Sequence, residues 1–204
     1  MKNLRDPIPV DFTSGAARSW WGPCEPPHGV TPAVALVNPK YPHNVGAAVR
    51  AATCFGARQV WWTGGRVTLD VSKGERLPRE ERMKGFRDVT LVQFDRVFDQ
   101  FPRGTVPVAV ERRAQAESLD EFEHPEDALY VFGPEDGSLG KVELRHCHRF
   151  VVVPARYCLN LAAAVYVVLY DREAKRLARE RKERAAEAER AVRSSSRDGG
   201  SSSR

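Results

Sequence analysis

From residue 33 onward the chain alternates short apolar runs with segments whose apolar residues recur at helical spacing. The runs AVALV (33–37), QVWWTG (59–64), DVTLVQF (88–94), VPVAVE (106–111), ALYVFG (128–133) and RFVVVP (149–154) predict six strands. Several are apolar throughout, as in a parallel sheet covered on both faces. Between them the pattern predicts a helix over 44–55 stopped by Gly56, and a short helix over 95–101 capped by Asp95. SLDEF (118–122) reads as a helical turn, and the charged stretch 65–86 as a loop with a short helix near 79–83. The last element starts near Tyr157, is apolar almost all round to Tyr170, and then becomes strongly charged. It reads as one continuous helix or as two with a break. Strands alternating with helices predict an α/β domain with a mainly parallel six-stranded sheet, whose ligands belong at the carboxyl ends of the strands.

Three segments frame that domain differently. Residues 1–30 are rich in Pro and Gly and predict an extension, with a short helix at 16–20. Residues 31–172 hold the domain. Residues 173–204 form a charged helix ending in SSSRDGGSSSR, whose composition predicts disorder. Trp20 and Trp21 in the extension either pack on the domain or stack on RNA bases.

Charge sharpens the division. The 204 residues carry a formal +5, but residues 171–204 hold 11 Lys and Arg against 7 Asp and Glu, leaving +1 for the rest. The basic excess therefore lies in the tail, where it suits a nucleic-acid partner or an ordinary solvated helix. Cys24, Cys54, Cys147 and Cys158 form no CxxC pair, and HCH at 146–148 has no second cluster to complete a tetrahedral site, so no metal is expected. No secretory leader and no membrane-length apolar run is visible, which makes a cytoplasmic protein with reduced thiols the expectation.

The chemistry concentrates in three loops: NPKYPHN, GPEDGSLG and PARYCLN. Singly, each has a plain reading. Asn44 suits a helix cap, GPEDGSLG a tight turn, and Asn160 the backbone groups of a helix start. Arg50 does not fit so easily. Between Gly46 and Phe55 only it and Thr53 are neither small nor apolar, and a buried unpaired charge is costly. It must reach a surface or meet a partner, with Glu135 or Glu111 as candidates for an ion pair.

Taken together, NPKYPHNVGAAVRAATCFGA, YVFGPEDGSLG and VVVPARYCLNLAAAVYVVLY resemble, in order and placement, the three motifs of the SpoU-type (TrmH-like) RNA ribose 2′-O-methyltransferases of the SPOUT superfamily. The resemblance spans residues 33–170 and implies a SPOUT fold with a C-terminal trefoil knot. It implies S-adenosyl-L-methionine as cofactor, tRNA or rRNA as partner, and a homodimer whose active site is completed across the interface. It places Arg50 beside the target hydroxyl, Asn44 with it in the first motif, Glu135 as the acid of the second and Asn160 as the asparagine of the third. The cofactor would lie among Val110, Phe132, Gly133, Val152, Val153, Pro154, Cys158, Leu159 and Asn160. Cys158 departs from the serine common in the family, and a thiol is the poorer hydrogen-bonding group. Arg66, Lys73, Arg76, Arg79, Arg82 and Lys84 offer positive surface for RNA, as does the C-terminal helix. A non-catalytic RNA-binding or ribosome-assembly protein on the same scaffold is the alternative. A base methyltransferase is disfavoured by the first-motif arginine.

Overall fold

The computed structural model describes residues 8–11, 16–21, 31–67, 88–94, 98 and 104–198. All six expected strands are present, as β3 (Ala33–Leu36), β4 (Gln59–Thr63), β5 (Thr90–Phe94), β6 (Val106–Val110), β8 (Ala128–Phe132) and β9 (Arg149–Val152). Three more join them: β1 (Ile8–Asp11), β2 (Ala16–Trp21) and the two-residue β7 (Glu117–Ser118). The single sheet runs β1-β2-β5-β4-β3-β8-β6-β9-β7. Every pairing from β5 to β7 is parallel, and only β1 and β2 run antiparallel at one edge.

The extension thus departs from expectation. Residues 16–20 form a strand rather than a helix, because the free edge of β5 offers a row of backbone partners, seen in Arg18 opposite Gln93 and Ser19 opposite Val92. The expected helices at 79–83 and 95–101 lie outside the described residues, apart from Phe98 in a turn. SLDEF is split: Ser118 closes β7, and the turn at 119–121 follows. His146 ends the short helix α2 (Lys141–His146), and Cys147 caps it and is buried.

Alternating residues on the central strands feed two cores. On one face Val34, Leu36, Trp62 and Tyr130 meet helix α1 (Pro42–Phe55) and the first turns of α3 (Leu161–Asp198). On the other, Ala35, Trp61, Leu129 and Val131 pack toward Leu139, Cys147 and α2. Helix α1 begins two residues earlier than the sequence suggests, since Pro42 fits the first turn where its missing N–H costs nothing. Gly56 ends it in the left-handed conformation at φ 74°, as expected of a glycine stop. Phe55 meets the rings of Tyr166 and Tyr170 edge-on, which locks α1 against α3.

The last element starts at Leu161 rather than near Tyr157, and it is one unbroken helix of 38 residues. It runs through SSSRD before the described residues end, so those five positions are helical; residues 199–204 lie outside. No helix among the described residues is long and apolar enough to cross a membrane.

Candidate active site

Strands β3, β8, β6 and β9 are neighbours in the sheet and all point the same way, so the loops leaving their carboxyl ends lie side by side. Those loops carry the three distinctive segments. Between them opens a cavity of about 200 Å³. Val110, Phe132, Val152, Val153, Leu159 and Leu161 give it apolar walls. Glu111, Arg112 and Glu135 add charge.

Glu135 ties the first loop to the second. Asn44 Nδ2 donates to its Oε1 at 2.6 Å, Tyr41 N–H to the same oxygen at 3.3 Å, and Lys40 N–H to Oε2 at 2.7 Å. Burial alone would raise its carboxyl, but the bonds from Asn44 and the backbone outweigh that and hold it below the ordinary value. Both oxygens are committed, so the group works as an ionised anchor. Asn44 is buried and two residues inside α1; the cap position is Tyr41. The cap reading of Asn44 therefore fails: its amide reaches across to Glu135 instead. Asp136 adds a second clamp. Arg66 grips it through two hydrogen bonds of 2.7 and 2.8 Å, and this pairing, joined by Lys40, lowers its carboxyl to about 2. Arg66, expected as free positive surface, is thus engaged, while Lys73, Arg76, Arg79, Arg82 and Lys84 lie outside the described residues. Gly64 completes the support: its φ of 80° strains any residue with a side chain, and a Cβ there would also meet the Asn38 side chain.

The third loop closes the cavity from the other side. Tyr157, Cys158 and Leu159 are exposed and line it. Asn160 does what a helix start asks: its Oδ1 accepts from Ala162 N–H at 2.9 Å and Ala163 N–H at 3.4 Å. Of the residues expected around a cofactor, Val110, Phe132, Gly133, Val152, Val153, Cys158 and Leu159 line the cavity; Pro154 and Asn160 do not. Glu111, Arg112 and Tyr157 line it unanticipated. Glu111 accepts from Leu139 N–H at 3.0 Å and Arg112 donates to Ala155 O at 3.1 Å, so both brace the wall they form. Their position just past the β6 end was the available signal.

Arg50 is exposed and takes no ion pair or hydrogen bond among the described residues. The buried pair with Glu135 or Glu111 is absent, since Asn44 and backbone donors occupy the first and Leu139 and Arg112 backbone groups the second. It shares the solvent side of α1 with His43 and Cys54, and it is not part of the cavity wall.

The family pattern described as SpoU rRNA Methylase matches residues 31–170. No curated protein matches the chain. Among solved structures, the chain is similar to the SpoU methyltransferase AviRb of Streptomyces viridochromogenes in complex with AdoMet, at 19% identity and TM-score 0.60, over 73% of this chain and 62% of that one. A probable methylase family protein from Haemophilus influenzae aligns at 21% identity and TM-score 0.64, over 78% and 70%. A structure reported for the 2-OH methylation of C/U34 on tRNA aligns at 27% identity and TM-score 0.56, over 69% and 92%. The chain spans less than two thirds of the AviRb chain it matches.

Proposed function

Because the chain belongs to the SpoU rRNA methylase family, we propose that it is an S-adenosylmethionine-dependent methyltransferase acting on a ribose 2′-hydroxyl of tRNA or rRNA. The observation that carries this reading is the convergence of the 110–112, 132–135 and 152–159 segments on one cavity, with Asn44 pinned to Glu135 at its edge. The donor set suits the cofactor. Val110, Phe132, Val152, Val153 and Leu159 would take an adenine ring, and the carboxylates of Glu111 and Glu135 suit a sulfonium and an ammonium group. When bound, S-adenosylmethionine supplies an electrophilic methyl group.

The chain's own residues divide the remaining work. Glu135 and Asn44 fix the first loop, and Asn160 fixes the start of α3 below the third. All three act as positioning residues. Arg50 holds the ribose hydroxyl and a neighbouring phosphate, and it stabilises negative charge developing on the oxygen. It is not a base, since arginine hardly deprotonates in proteins. Its place outside the cavity wall fits a site completed between two chains of a homodimer. A trefoil knot in the C-terminal half of the domain belongs to the same reading.

Two measurements test it. Calorimetry with S-adenosylmethionine should show one site per chain, and 2′-O-methylation mapped across total RNA should lose a position when the protein is removed. Absence of cofactor binding at millimolar ligand would refute the enzyme reading. Binding without any change in the methylation map would favour the non-catalytic alternative.

A further inference from the structure

Helix α3 leaves the domain as a free-standing rod: every residue from 181 to 193 is exposed. At about 100° per residue, six of the nine basic residues in 172–193 gather on one side of the axis, while Arg176, Arg181 and Arg184 lie elsewhere. Arg172, Lys175, Arg179, Lys182, Arg190 and Arg193 fall within about 80° of arc. Glu180, Glu183 and Glu187 follow on one flank, and Glu189 stands on the other. Ala185, Ala188 and Val192 occupy the far side.

The base of the basic line is already in use. Arg172 donates to Glu126 O at 3.0 Å, and Lys175 Nζ to Leu119 O at 2.6 Å and Phe122 O at 3.1 Å. These bonds turn the line toward the segment between β7 and β8 and fix the rotation of everything beyond. Past that anchor Arg179, Lys182 and Arg190 take no ion pair or hydrogen bond among the described residues. One flanking acid is diverted, since Glu180 pairs with Arg176 and Arg184. Residues 179–193 carry six basic against four acidic side chains, so net charge alone attracts an anion weakly. The sorting supplies the attraction. Arg179 to Arg190 spans about 16 Å along the axis, enough to meet several successive phosphates of one strand.

We propose that this face of α3, through Arg179, Lys182 and Arg190, is a docking surface for the phosphate backbone of the substrate RNA. The proposal rests on the RNA methyltransferase reading and adds the surface that holds RNA outside the cavity. It predicts contacts that set affinity and register but not sequence choice.

The test uses the full chain, with unfractionated tRNA and a labelled RNA duplex as probes, titrated across a salt series. Arg179→Glu with Lys182→Glu is compared with Arg181→Glu with Arg184→Glu, an equal charge change on another face. The first pair should weaken RNA binding about tenfold or more and flatten the salt slope by about two. The second pair should leave the slope near wild type. Arg179→Gln with Lys182→Gln should reproduce the flattening, and circular dichroism and cofactor affinity should be unchanged in all three. Equal effects from both faces, or none from either, would overturn the proposal. So would a changed sedimentation coefficient with an unchanged salt slope, which would assign the face to another protein chain. Wild-type protein that binds both cofactor and RNA but ignores these substitutions sinks the docking surface alone. Wild-type protein that binds neither removes the methyltransferase reading with it.

Discussion

Arg50 is the residue on which the proposed chemistry turns. It is charged, exposed and unpartnered on a helix whose other residues are mostly buried, so its retention costs nothing and its free guanidinium is available to RNA. Arg50→Ala should lower single-turnover methyl transfer by about a hundredfold or more, as loss of a transition-state donor does, with cofactor affinity nearly unchanged. Arg50→Lys should be poor as well, because one ammonium does not replace a planar fork. Glu135 presents the opposite case, a carboxylate whose two oxygens both accept hydrogen bonds. Glu135→Gln should cost about 1.5–3 kcal/mol of stability, the worth of bonds to a charged acceptor, and should weaken cofactor binding measured by calorimetry. Its pH dependence follows from the lowered carboxyl. The stabilisation is fully present above the ordinary value of 4.5 and is lost as pH falls through the depressed folded value. Urea unfolding of wild type and Glu135→Gln should therefore differ most above pH 4.5 and converge in stronger acid.

Helix α3 is the element that joins site to surface. Its first residue follows the Asn160 cap, its early turns fill the core against α1, and its middle is bolted to the β7–β8 segment. His124 is the buried bolt. Its Nδ1 lies 2.6 Å from the Tyr130 hydroxyl and its Nε2 2.8 Å from Asp171 Oδ2. A neutral ring protonated on Nε2 satisfies both: it accepts from the tyrosine and donates to the carboxylate. Burial, helped by Lys175 and Arg172, lowers the imidazole below 6.5 against the pull of Asp171. The contribution is present above 6.5 and is lost as pH falls through the lower folded value. His124→Phe should cost about 1–3 kcal/mol by orphaning the Tyr130 hydroxyl. The gap between wild type and variant in urea unfolding should narrow in acid. Asn160→Ala should remove about 1 kcal/mol, as loss of an N-cap does, and loosen the Cys158–Leu159 wall of the cavity.

For the whole molecule the open question is partnership. Tyr170 is 61% exposed, Val167 36% and Tyr157 83%, all on α3 or the loop before it. Apolar surface gathered beside a candidate site suits a contact with a second copy. Sedimentation at micromolar concentration should show a dimer, and Tyr170→Glu should shift it toward monomer. A monomer throughout would contradict the proposed shared site.

What the sequence determined was the elements and the loops. Apolar runs specify buried strands by burial alone, and Gly56 stops α1 through its own backbone freedom, so both were legible one residue at a time. The motif loops at 38–44, 133–140 and 154–160 stood out by composition, and strand polarity then placed them together. Tertiary structure decided everything that needed a distant partner. Residues 16–21 became a strand because β5 had an open edge. Asn44 left its cap role because Glu135, 91 positions away, sits within reach of its amide. The basic line of α3 acquired a direction only when Lys175 found the carbonyls of Leu119 and Phe122. Local sequence fixes conformation where the energy is local, whereas pairing energies between remote groups exist only once the chain has brought them together.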